Sequence, residues 1–379
     1  MPELTDEQIM LRDAAQAWVR QRAPVGALRK LRSNGSAAHG FDPATYAEIA
    51  EMGWASVIVP EDHGGADFGY ASLGLVLEQL GKTLVASPLL SSGLVGASAL
   101  RLAGTAEQQA RWLPGIADGS VIATLAVDEG ARHDPLGVRL RAEVDGAGWR
   151  LTGRKQPVLH GIAADLMIVA ARTAGAAGEA DGITLFLVEA DAAGIERTAL
   201  VEIETRGAAA IDFENVALGA DSVLGEVGKG AALLDAILDR ARIGTAAEML
   251  GAAQEAFDTT LDYLRTRVQF GEIIGTFQAL QHRVAGLYGE IELTRSAVEA
   301  ALAALDRDGP DVPELASIAK VLAGETLRLV ATEMIQLHGG IGMTDEHDAG
   351  HYYKRARVAD MSYGSAAYHR ERFATLTGH

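Results

Sequence analysis

The chain predicts a mainly α protein with a β-domain: an N-terminal helical domain, a middle β-barrel or sandwich, and a C-terminal four-helix bundle. Three observations carry this. Up to about residue 120, apolar residues recur at helical spacing between polar breaks. From 121 to 225 the texture changes to short apolar runs separated by Gly and Asp turns, as closely spaced strands require. From 226 to 379 long helical stripes return with short links, the pattern of a bundle. The predicted domains are therefore 1–120, 121–225 and 226–379.

Thr5-Asp6-Glu7-Gln8 reads as a helix start, followed by Ile9, Leu11, Ala15, Trp18 and Val19 on one face. The stretch 33–36 breaks that pattern, and a second helix spans Tyr46 to Met52, closed by Gly53. Val57 to Gly65 is a short apolar run ending in a glycine-rich loop. Helices follow at Tyr70–Leu80, around Ser91–Leu102, and at Ala106–Ala117, the last closed by Asp118-Gly119. Strands are expected at 121–127, 139–144, 149–151, 166–171, 183–188, 195–203 and 210–216, with Thr173 to Asp181 as a Gly- and Ala-rich hairpin tip. Leu233, Leu234, Ile237, Leu238, Ala241 and Gly244 share a stripe that extends towards Leu264. Further helices cover 277–305, 313–337 and 351–376.

With 379 residues and 48% hydrophobic content, the chain has material for two or three domains with real cores. Aromatic residues are only 5%, so aliphatic packing dominates. A net charge of −18 disfavours nucleic acid and anionic membranes, both of which reward a basic surface. The absence of cysteine excludes disulfides and thiolate metal sites; no metal site is expected. The first ten residues carry acids and lack an apolar core, unlike a signal peptide, and no run is long enough to span a bilayer. The expectation is a cytoplasmic protein.

Three constellations carry possible chemistry. Arg267-Val-Gln269-Phe270-Gly271, followed by Phe277-Gln278, lies at a break between two bundle helices. Arginine, amides and a ring suit a ligand with phosphates and a flat heterocycle, although a plain helical corner reads the same way. Gln336-Leu-His338-Gly339-Gly340-Ile-Gly342 offers backbone amides free of side chains, or simply a helix end and a turn. In the middle segment, Asp128-Glu129-Gly130 and Trp149-x-Leu151-x-Gly153-x-Lys155 mark a strand end and a hairpin.

In this order, and joined by Gly53-Trp54, Pro60-Glu61 and Gly64-Gly65, the chain resembles the acyl-CoA dehydrogenase family over nearly its whole length. The resemblance implies FAD as cofactor, an acyl-CoA thioester as substrate, electron-transferring flavoprotein as electron acceptor, and a dimer of dimers. It places the adenine and pyrophosphate end of FAD on Arg267, Gln269, Phe270, Gln278, Gln336, Gly339 and Gly340, partly across a protomer contact. The implied reaction removes a proton beside the thioester and passes a hydride from the next carbon to flavin, so a carboxylate base is required.

Neither family position for that base holds a carboxylate. The usual glutamate before Gly-Thr is matched by Tyr363-Gly364-Ser365, and the alternative one, before an arginine, by Ala241-Arg242. A phenol titrates near 10, so base work near pH 7 asks for about 4 kcal/mol of help. Asp360, one turn before Tyr363, is an outside candidate for the base. Asp239 is expected to be a solvated or CoA-facing acid, with Arg242 beside it on the substrate side. The flavin-ring side departs as well: Pro157 and Leu159 stand where the family has Trp and Thr, and Asp128-Glu129-Gly130 where it has Thr-Glu-Pro. Gly339–Thr344, Gly350–Arg355, Gly364 and His369 are similar to the small subunit of pimeloyl-CoA dehydrogenase and to subunits of heterotetrameric steroid side-chain acyl-CoA dehydrogenases. In such α2β2 assemblies one subunit type brings the glutamate and the other completes the FAD sites. The alternatives are a homotetramer with an atypical base, Tyr363 or Asp360, and a non-catalytic structural subunit.

Overall fold

The computed structural model describes residues 4–33 and 39–379. Its helices are α1 (Asp6–Arg22), α2 (Val25–Ser33), α3 (Pro43–Glu51), α4 (Tyr70–Lys82), α5 (Ala97–Ala103), α6 (Ala106–Ala117), α7 (Gly230–Thr266), α8 (Gln278–Asp306), α9 (Val312–His338), α10 (Ala349–Met361) and α11 (Ala366–Leu376). Its strands are β1 (Ala123–Ala126), β2 (Arg141–Asp145), β3 (Gly148–Val158), β4 (Leu166–Arg172), β5 (Ile183–Glu189), β6 (Ile195–Ala199), β7 (Ala209–Leu218), β8 (Val223–Leu224), β9 (Val268–Gln269) and β10 (Glu272–Ile273). Helices up to Ala117, strands from Ala123 to Leu224 and helices from Gly230 onward follow in the order expected of an N-terminal helical domain, a middle β-domain and a C-terminal helical domain. The break expected at 33–36 lies largely outside the described residues.

The chain forms two compact units. One comprises residues 29–69 and 86–241 and holds the main sheet, ordered β6-β7-β3-β2-β4-β5-β8 with β1 parallel to β4. The buried positions of β3 and β7 and the wholly buried β4 feed a core of Leu151, Val169, Phe186, Ile211 and Phe213. The Thr173–Asp181 hairpin tip joins antiparallel β4 and β5, as its composition suggests. The run at 89–96 is a buried π-helical segment continuing into α5, where a plain helix was expected.

The other unit comprises residues 1–28, 70–85 and 242–379. Thr5 and Gln8 form the capping box that starts α1. Glycine lets α4 and α7 cross closely: a Cβ on Gly81 would strike the Glu248 carbonyl, and one on Gly251 the Glu78 carbonyl. α8 and α9 pair along their apolar stripes, joined by a buried Thr294–Thr326 hydroxyl contact of 2.8 Å. The single helix expected over 351–376 is instead two. Ser362–Ser365 interrupts it because Tyr363 and Gly364 take positive φ, 57° and 107°, which no α-helix admits.

Candidate active site

The end of α7 and the end of α9 meet. Tyr263, four residues before Arg267, lies 4.4 Å ring to ring from His338, and its hydroxyl donates to the His338 carbonyl at 3.4 Å. His338 in turn makes a tilted ring contact with His347 at 4.2 Å. The Arg267 stretch and the glycine stretch therefore share one end of this unit.

Beyond α7 the chain makes a tight antiparallel hairpin, β9–β10. Phe270 and Gly271 occupy its turn with φ of 57° and 82°, as such two-residue turns demand. The turn thrusts the Phe270 ring into solvent, 92% exposed, with Phe277 6.4 Å away. Arg267, Gln269, Gln278 and Gln336 are exposed as well. Gln269 satisfies itself on the Val268 carbonyl at 2.8 Å.

The glycines there have different reasons to be glycine. Gly339 takes φ 66° and ψ −138°, a region closed to other residues. Gly342 packs tightly, since a Cβ would meet the Ile335 carbonyl at 2.8 Å. Gly340 has neither reason: its φ is not positive and an added Cβ would meet nothing.

The turn at Tyr363 is built in the opposite manner. The Tyr363 carbonyl accepts from Arg242 Nε at 3.4 Å and from His369 Nε2 at 3.1 Å. Since a carbonyl only accepts, His369 carries its proton on Nε2. His369 is fully buried, and burial together with the Arg242 and Lys320 cations pushes it down to about 2, so it stays neutral. Arg242, with no exposed surface, also reaches the Tyr368 hydroxyl at 3.4 Å. Lys320 of α9, equally buried, donates to the carbonyls of Ala359, Asp360 and Gly364 at 2.9, 2.9 and 3.0 Å. Burial pulls the Lys320 amine down to about 7, against the opposing pull of the Asp360 carboxylate.

These contacts revise two expectations. Asp239 is 2% exposed, so it is not the solvated acid that its place on the helix suggested. Asp360 does not stand free: its Oδ1 accepts from the Ala366 amide at 3.3 Å at the start of α11, and it faces Lys320. Ala241 is fully buried in α7. Sequence reasoning passed over Lys320 altogether. Its signal was a lysine on the apolar stripe of Ala316, Ala319, Ala323 and Leu327, where an unpaired charge is costly.

In the sheet unit, Glu129 accepts from the Arg139 and Leu140 amides at 3.0 and 2.9 Å and from the buried Lys155 at 2.7 Å. Asp128 faces His133 at 3.0 Å. These bonds fix one wall of a cavity of about 260 Å³ lined by Val127, Glu129, Arg132, Asp134 and Arg139. The departures at Asp128–Gly130 are thus an ordered network rather than a loose loop.

The chain matches the acyl-CoA dehydrogenase N-terminal domain over residues 5–120, the middle domain over 123–216 and the C-terminal domain over 228–375. It is 31% identical over 362 residues to the acyl-CoA dehydrogenase IpdE2 of Mycolicibacterium smegmatis, covering 95% of this chain and 96% of that one. Among solved structures it is similar to a variant of the steroid ACAD Tcur3481-Tcur3483, with 32% identity, a TM-score of 0.88 and 98% of both chains covered. It is also similar to butyryl-CoA dehydrogenase from Megasphaera elsdenii, with 25% identity, a TM-score of 0.92, and 100% of this chain and 99% of the other covered. The chain belongs to the acyl-CoA dehydrogenase family, FAD-dependent oxidoreductases that act on CH–CH bonds.

Proposed function

We propose that this chain is the base-lacking subunit of an α2β2 acyl-CoA dehydrogenase, akin to the small subunit of pimeloyl-CoA dehydrogenase and to steroid side-chain dehydrogenases. One contrast carries the reading: the nucleotide-side residues are intact and open, while the base position offers no free carboxylate. Arg267 would pair with the FAD pyrophosphate, Gln269, Gln278 and Gln336 would hydrogen-bond its polar edges, and the exposed Phe270 would give a stacking face. Gly339 and Gly340 would bring their backbone close to it. Gly340 supports this, because nothing within its own chain requires a glycine there.

Bound FAD supplies the hydride acceptor. The proton beside the thioester goes to a carboxylate on the companion subunit, since Tyr363 and Ala241 replace the family's two glutamates and Asp360 is committed to Ala366 and Lys320. Arg242, in this reading, serves the site by holding the Tyr363 turn, and Asp239, three residues earlier on α7, is buried. A steroid-type acyl-CoA is the favoured substrate class, on the strength of the 32% identity to the steroid ACAD. Electron-transferring flavoprotein is the proposed acceptor partner.

The reading is tested by co-expression with the genomic neighbour. A stable two-chain complex with bound FAD that desaturates an acyl-CoA, from a chain inactive alone, is the expected result. Full activity from this chain by itself, lost in Tyr363→Phe, would transfer the base role to the phenol and overturn the two-chain scheme.

A further inference from the structure

We propose that Lys320 is a positioning residue for Tyr363: its side chain clasps the end of α10 and the following turn, and so sets where position 363 is presented. The geometry is specific. The Ala359 and Asp360 carbonyls belong to the last turn of α10, where intrahelical donors run out. A cation there meets both the orphan acceptors and the negative end of the helix dipole. The third bond reaches past the helix to Gly364, the residue after Tyr363. Lys320 thus ties α10 to the far side of the very residue that breaks it.

The turn needs such a tie. A tyrosine at φ 57° lies in a sparsely populated region and persists there only when its surroundings over-determine it. Arg242 and His369 hold the Tyr363 carbonyl; Lys320 holds one carbonyl before Tyr363 and one after it.

The clasp also depends on its proton. An ammonium has three N–H donors, one for each carbonyl, whereas a neutral amine has only two. The charged groups facing the amine are the Asp360 carboxylate of α10 and the Arg242 guanidinium of α7; His369 of α11 remains neutral. Loss of the Lys320 proton leaves one carbonyl without its donor and loosens the turn. This holds whichever chain supplies the carboxylate for catalysis.

The test is backbone NMR on the full chain labelled with [15N]tyrosine. The chain has 8 tyrosines, so the spectrum is sparse, and Tyr363→Phe assigns its own peak by deleting it. In the wild type the Tyr363 amide peak should move as pH crosses about 7, while that of Tyr70, whose amide is held by the Asp306 carboxylate, stays fixed. In Lys320→Met the Tyr363 peak should be displaced and no longer respond to pH. A Tyr363 peak that coincides in folded Lys320→Met and wild type overturns the proposal. Should Lys320→Met fail to fold, the wild-type titration decides alone: a Tyr363 peak unmoved across the neutral range overturns it equally.

Discussion

The Arg267–Gln278 stretch, taken with Gly339 and Gly340, and the Tyr363 turn both lie between helices, and they are made in opposite ways. At the first, side chains reach outward: Phe270 is 92% exposed, Gln269 bonds only its neighbour's carbonyl, and Gly340 has room for a side chain it does not carry. At the second, three fully buried side chains, Arg242, Lys320 and His369, converge on backbone carbonyls around one strained residue. In the proposed reading the first region meets the nucleotide end of FAD. The second is fixed from within before any ligand arrives, the arrangement that pre-organisation requires.

Substitutions should separate the two regions. The largest loss is expected from Gly364→Ala. Gly364 takes φ 107°, and a Cβ there would lie 2.5 Å from the Tyr368 ring and 2.8 Å from His369 Nε2. Denaturant unfolding should show a cost of about 3 kcal/mol or more. Next comes the pH response of His369. The fold depresses its pKa from 6.5 to about 2, so the unfolded chain takes up a proton that the folded chain refuses. Stability contributed by the neutral ring is therefore complete above 6.5 and is lost as pH falls towards 2. Going down to pH 4, wild type should lose on the order of 3 kcal/mol that His369→Gln does not lose.

The smallest effects on stability belong to the open region. Gly340→Val and Phe270→Ala should each change unfolding free energy by no more than about 0.5 kcal/mol. Flavin retention in the assembled enzyme should nevertheless weaken about tenfold, equivalent to about 1.4 kcal/mol. A large stability loss at Gly340, with flavin still held, would erase the contrast between the regions.

Much of this was legible in the residues. The capping box at Thr5 and Gln8, the hairpin tip at 173–181, the strand rhythm and the long bundle stripes are local signals, and these elements formed close to where they were expected, except that β3 runs on to Val158 beyond the expected 149–151. The break at Ser362–Ser365 was not legible, because Tyr363 has no intrinsic preference for positive φ. Its conformation is imposed by groups from three other helices. The same holds for Asp239 and Asp360, whose spacing said nothing about burial or partners. The two-residue β8 is too short to register, whereas α2, with Val25, Leu28 and Leu31 buried at helical spacing, carried a readable signal that sequence reasoning passed over. Lys320 also left a trace, as a charge on an apolar stripe.

The central claim is that this chain lends the nucleotide end of a flavin site while another chain lends the carboxylate. Anaerobic titration with a steroid-type acyl-CoA, followed by flavin absorbance, tests it most directly. Flavin should bleach in the two-chain complex, and should stay oxidised in this chain reconstituted alone and in a complex whose companion has its glutamate changed to glutamine. Bleaching in this chain alone, or undiminished bleaching in the glutamine complex, would contradict the account.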